Sequence, residues 1–134
     1  MGWASEYATI RAQFMDNWGG ETIVAEENAA GEPTDQVAWI RFQVLGTDGR
    51  VAGIGGPQTR YRHDGDVVIE IFAPLNHGVG RSRELADKAS SILRGLQVGG
   101  ITFWAPRLIK VGPRGAWYRM NLICPFQRDE VFAY

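Results

Sequence analysis

Cysteine is nearly absent from this chain. Cys124 stands alone in 134 residues, which excludes an internal disulfide and any cysteine-rich metal site. Histidine is almost as scarce, with only His63 and His77. No apolar run approaches the roughly 18 residues that a membrane-crossing helix needs. The opening Met1-Gly2-Trp3-Ala4-Ser5-Glu6 lacks the basic stretch followed by an apolar core that marks a secretory signal, and Glu6 stands where a myristoylation motif requires Ser or Thr. Excess charge is missing too. The net charge is -1 and the isoelectric point about 6.1, so overall charge predicts neither a nucleic-acid nor a membrane partner.

What remains is an ordinary globular composition, 45% hydrophobic and 22% charged, in a length that suits one domain over residues 1–134. Charge is unevenly distributed. Residues 1–35 hold seven acidic side chains against Arg11 alone, whereas residues 36–128 hold 13 basic and 6 acidic ones. Two oppositely charged regions can pair within one subunit, or between neighbouring copies head to tail. Lys88 and Lys110 are the only lysines, and arginine, with its planar fork of donors, is favoured at interfaces. Five tryptophans are more than one small core accommodates. Trp39 and Trp117 fall opposite the apolar faces of their strands, so either the sheet is covered on both faces or they form contacts between proteins.

Periodicity predicts the elements. Tyr7, Ile10 and Phe14, with Trp3 and Ala4 a turn earlier, share one side of a helix that Ser5 would cap and Gly19-Gly20 would end. Ile23 to Glu26 reads as a short strand. Val37 to Leu45 alternates as a strand, and Thr47-Asp48-Gly49 reads as a hairpin turn leading to a return strand, Arg50 to Ile54. Gly55-Gly56-Pro57 bends or interrupts it. Thr59 to Arg62 continues the sheet, Asp64-Gly65 reads as a second hairpin turn, and Val67 to Phe72 is a β-branched strand ended by Pro74. The clearest helix spans Arg81 to Arg94, with Leu85, Ala89, Ile92, Leu93 and Leu96 as its stripe, Glu84 and Lys88 as an i,i+4 pair, and Gly95 as a left-handed cap. Ile101 to Trp104, Leu108 to Val111 and Trp117 to Phe126 form a last hairpin turning at Gly112-Pro113-Arg114-Gly115, and Pro106 and Pro125 mark strand ends, edges or bulges. The order predicts an α+β fold: an antiparallel or mixed β-sheet meander with two helices packed on it.

The chemistry on offer is thin. His63 beside Asp64 and Asp66 offers an imidazole and carboxylates to a metal, but the same residues make an ordinary hydrophilic turn, which is the preferred reading. Asp66 and Glu70 would project about 13 Å apart on one strand face, too far for a retaining acid pair. Cys124 alternates with Met120 and Leu122 and reads as a small buried hydrophobe rather than a nucleophile. Gly78-Val79-Gly80 before a helix lacks the further glycine of a dinucleotide loop and the Lys-Ser/Thr of a phosphate loop. No catalytic, cofactor or metal residue is assigned.

One resemblance covers nearly the whole chain. It is carried by the N-terminal helix ending near Phe14, Val24-Ala25-Glu26-Glu27-Asn28, Val37-Ala38-Trp39-Ile40-Arg41, the stretch from Gly55 to Gly65, and Val67-Val68-Ile69-Glu70-Ile71-Phe72-Ala73-Pro74. Gly78-Val79-Gly80 before Leu85-Ala86-Asp87, and the closing Trp117-Tyr118 and Pro125-Phe126, complete it. In order and spacing these pieces resemble the tail terminator, or tail completion, proteins of long-tailed bacteriophages and gene transfer agents. The resemblance implies a non-enzymatic subunit of the virion, assembled in the bacterial cytoplasm. Its ring, typically a hexamer, caps the head-proximal end of the tail tube, ends tube growth and offers the head-attachment surface. The implied partners are further copies of itself, the tail tube protein and a head-side connector or neck protein, with DNA passing through the hole unread and no cofactor or membrane involved. The surface residues expected at such contacts are Asn76, Arg81, Arg83, Arg107, Arg114, Phe132 and Tyr134. A neighbouring neck or minor tail protein is the structural alternative. A small metal- or nucleotide-dependent enzyme, or a host binding protein, are the alternatives of other classes.

Overall fold

A computed structural model describes residues 1–29, 32–33, 36–55 and 58–133. The elements run α1 (Trp3–Trp18), β1 (Val24–Glu26), β2 (Trp39–Gly55), β3 (Gln58–Pro74), α2 (Gly80–Leu93), β4 (Gln97–Val98), β5 (Ile101–Phe103), β6 (Arg107–Arg114) and β7 (Trp117–Ala133). The described residues form one mixed sheet in the order β1-β2-β3-β7-β5-β4, with β6 also pairing β7. The expected α+β architecture is present. β1 supplies the parallel pairing, against Ile40 to Phe42 of β2.

Both helices cover one sheet face. In α1 the buried stripe is Glu6, Ile10, Phe14 and Trp18, stepping by four, while Trp3 is 71% exposed and Tyr7 only partly buried. The expected stripe through Trp3, Ala4 and Tyr7 is therefore rotated. The helix starts at Trp3 with Gly2 as N-cap and no side-chain cap, so Ser5 lies within the first turn. Gly19 ends it at φ 67, the left-handed cap that glycine adopts without strain. In α2, Leu85, Ala86, Ala89 and Leu93 are buried, and Ile92 and Leu96 pack against the same core. Lys88 does not pair with Glu84. Its Nζ lies 3.4 Å from Glu21, and Glu84 is 3.4 Å from Arg81. Phe42, Val67, Ile69, Ile71, Leu122, Cys124 and Phe126 face the helices from the sheet.

Two of the three expected hairpin turns, at Thr47-Asp48-Gly49 and Asp64-Gly65, are not turns. β2 and β3 pair without reversal from Trp39↔Phe72 to Gly55↔Gln58, and the bend expected at Gly55-Gly56-Pro57 falls on Gly56 and Pro57, which lie outside the described residues. Gly46 pairs with Gly65 and Asp48 with Asp64, and a register shift between Gly46 and Asp48 absorbs Thr47. The Asp-Gly at 64–65 serves a close approach instead. A Cβ on Gly65 would lie 2.4 Å from Phe126 Cζ and 2.6 Å from the Leu45 carbonyl oxygen.

β7 likewise runs past its expected end at Phe126, and Gln58 to Pro74 of β3 pair with Ala133 to Trp117. The tail folds back on its own subunit as a strand. Pro125 is tolerated inside β7 for a topological reason. β6 stops opposite Ile123 and β5 starts opposite Phe126, so the missing N–H faces the gap between them. The Pro125 carbonyl, on that same side, accepts from Trp104 N–H at 2.9 Å.

Candidate interaction surfaces

Several of the residues with catalytic or metal-binding potential are held in structural contacts. His63 sits on β3 with Nε2 3.2 Å from Glu130, its ring edge-on to Trp3 at 5.8 Å. Asp64 ion-pairs with Arg50. Glu70 is bound by Arg119 at 3.3 Å and by Gln43. Cys124 is fully buried, and burial, with a smaller contribution from Asp66, pushes its thiol up to about 12, far above where a thiolate nucleophile operates. Among the described residues no three His, Cys, Asp or Glu side chains converge as metal ligands.

Much of the acidic N-terminal region is neutralised inside the subunit. Glu26 pairs with Arg11, Glu21 with Arg81 at 3.6 Å and with Lys88. Glu6, almost wholly buried, accepts from Arg128 Nε at 2.7 Å. Arg128 is 1% exposed and also donates to the Met1 carbonyl at 2.7 Å, which ties the start of α1 to β7.

The expected contact residues divide into groups. Asn76 lies exposed at φ 66 in the loop before α2, followed by Arg81 and Arg83 on its first turn. Arg107 and Arg114 stand at the two ends of β6, both exposed. Leu75 N–H donates to the Ala116 carbonyl at 3.3 Å, so the Asn76 loop and the turn after Arg114 share one end of the subunit. The backbone of Phe132 pairs with Thr59, at the other end. Tyr134 lies outside the described residues. The loop from Asn76 to Arg81 and the Arg114 turn therefore lie at the same end of the subunit.

Three further features shape the surface. The first is an arm. Beyond Val44, β2 has no strand partner on its outer side among the described residues, and residues 45–54 are all exposed, with Leu45, Val51 and Ile54 (81% exposed) among them. β3 and β7 complete the arm. Arg62 of β3 grips Asp129 of β7 through Nε at 2.8 Å and Nη2 at 3.1 Å, and these hydrogen bonds hold the Asp129 carboxyl below its ordinary range. The second is the opposite edge. β6 pairs only with β7, and its Arg107, Lys110 and Arg114 have no carboxylate partner among the described residues.

The third lies on the face away from the helices. Trp39 stacks on Phe72 at 4.0 Å and meets Trp117 edge-on at 5.9 Å, and with Ala25 they form a second small core. The sheet is thus covered on both faces here, one of the two readings of the tryptophans. Trp117 Nε1 donates to Glu32 at 2.6 Å, and Arg41 lies over the rings of Trp39 and Phe72 at 5.5 and 5.8 Å. Beside them opens a cavity of about 360 Å³ that Arg114 and Arg119 also line. The alternation of Trp39, Arg41 and Gln43 was the legible signal for this face. The arm was hidden by Asp-Gly pairs that imitate turns.

A family model described as phage tail terminator protein matches residues 7–97. No curated protein matches the chain. Among solved structures, one aligns over 99% of both chains with a TM-score of 0.61 at 18% identity, a likeness of fold alone.

Proposed function

The chain belongs to the phage tail terminator family, and from that membership we propose that its copies close into a ring, typically of six, that caps the head-proximal end of the tail tube. The ring ends tube growth and offers the surface to which the DNA-filled head attaches. Its partners are the tail tube protein on one side and a head-side connector on the other, with DNA passing through unread. Assembly takes place in the bacterial cytoplasm. The observation that carries the reading is the family match, which runs from within α1 to the start of β4 and so takes in the β2 and β3 strands of the arm and α2. The polarity of the subunit supports it. The arm tip at Gly55 and Gln58 lies at one end of the long strands, and the Asn76 loop with the Arg114 turn at the other. A subunit between two different partners needs two such different ends. The role proposed is structural, and no reaction is assigned.

Removal of the gene from the particle-producing strain tests this. The expected particles have tail tubes of irregular, overgrown length and separate, unattached heads, both corrected by supplying the protein in trans. Tubes of normal length with heads attached would refute it.

A further inference from the structure

We infer that the ring is closed by strand pairing between copies: the open edge of the β2 arm on one subunit receives the open edge of β6 on the next. The inference rests on the ring reading and specifies its interface. Four observations lead to it. First, the two edges lie on opposite sides of one sheet, β2 beyond β3 and β6 beyond β7. Joining them is a heterologous, head-to-tail contact, the kind that closes into a ring by rotation. Second, each offers a comparable run, residues 45–54 and 107–114, with outward backbone groups that no strand among the described residues pairs. Open edges of this length are templates for another strand, and a closed circle of sheets leaves none. Third, both carry exposed apolar side chains. Val51 and Ile54 are 51% and 81% exposed on one edge, and Ile109 and Val111 39% and 43% on the other.

Fourth, their charges complement each other. The charged side chains of the β6 edge are all cationic, and Lys110 has no carboxylate partner among the described residues. On the arm, Asp48 and Asp64 share the single Arg50, and Asp66 has no cation partner among the described residues. Glu27 adds a carboxylate where the free edge begins, accepting from Val44 N–H at 2.7 Å. The register shifts of β2 and the Lys110 and Pro113 of β6 restrict which strand each edge accepts, a protection against indiscriminate pairing.

The two lysines make the test direct. Zero-length carbodiimide joins amines to carboxylates, and Lys88 is already beside Glu21 of its own chain, at 3.4 Å. Particles are treated with carbodiimide, and the cross-linked dimer of this chain is separated by mass and its joined peptides identified. The expected link joins Lys110 to Asp48, Asp64, Asp66 or Glu27, with Lys88–Glu21 as the internal control. A dimer linked only through other surfaces would overturn the β2–β6 interface and leave the ring intact. Absence of the chain from the particles, or of any cross-linked oligomer, would remove the ring itself. In parallel, Ile54→Asp, at a solvent-exposed position, is expected to leave the melting curve of the subunit unchanged and to lower incorporation into particles at least tenfold. Incorporation at the wild-type level would overturn the interface.

Discussion

Glu6→Ala is expected to destabilise the subunit by about 3–5 kcal/mol, the cost of leaving a buried charge without its partner. Arg128 is 1% exposed, and its Nε donates to Glu6 at 2.7 Å. Its remaining contacts, the Met1 carbonyl at 2.7 Å and Glu130 at 3.5 Å, do not replace a carboxylate at Nε. Arg128 Nη2 already lacks an acceptor among the described residues. Replacing both partners with apolar residues of similar size, Glu6→Leu with Arg128→Met, is expected to recover most of the loss, because desolvation of the pair offsets much of its attraction. Urea unfolding of the two variants beside the parent checks this. Equal stability of Glu6→Ala and the parent would mean that the pair does not hold α1 to β7.

Gly65→Ala is expected to cost about 1–3 kcal/mol through overpacking, more than an exposed turn glycine at negative φ would. The new methyl would meet Phe126 Cζ at 2.4 Å and the Leu45 carbonyl oxygen at 2.6 Å. The phenyl ring has some freedom to turn away, but the carbonyl belongs to the β2 backbone and is fixed by its register with β3. Trimming the ring with Phe126→Leu should therefore rescue Gly65→Ala only in part. Full rescue would show that the ring alone needs the glycine. No loss in the single variant would return Asp64-Gly65 to the status of a turn. Because Gly65 sits at the root of the arm, the same substitution is expected to reduce particle incorporation beyond its effect on stability.

These two sites mark the boundary of what the sequence discloses. Local periodicity was legible. The α2 stripe, the positive-φ Gly95 after it, the burial of Cys124 between Leu122 and Phe126, and the short β1 strand all follow from spacing a few residues long. Nothing local in the sequence singles out Glu6, because its partner is 122 positions away. The Asp-Gly pairs at 48–49 and 64–65 have the composition of turns, but facing each other across a ladder they produce a bulge and a close approach. Pro125 suggested a break because a strand is usually flanked along its whole length, and the gap between β5 and β6 appears only when the sheet is assembled. The expected contact residues came from exposure and residue type. Arg107 and Arg114 fall on the open β6 edge, whereas Arg81 is engaged with Glu21 inside the subunit. The arm edge was missed because a turn had been placed in its middle.

In the proposed function this subunit works as one of a closed circle between tail tube and head. A cryo-electron microscopy map of the intact particle, with the chain fitted at side-chain resolution, tests it most directly. The account predicts one ring of this fold at the head-proximal end of the tube, each arm reaching its neighbour. Density for the chain as isolated subunits, or at the far end of the tail, would contradict it.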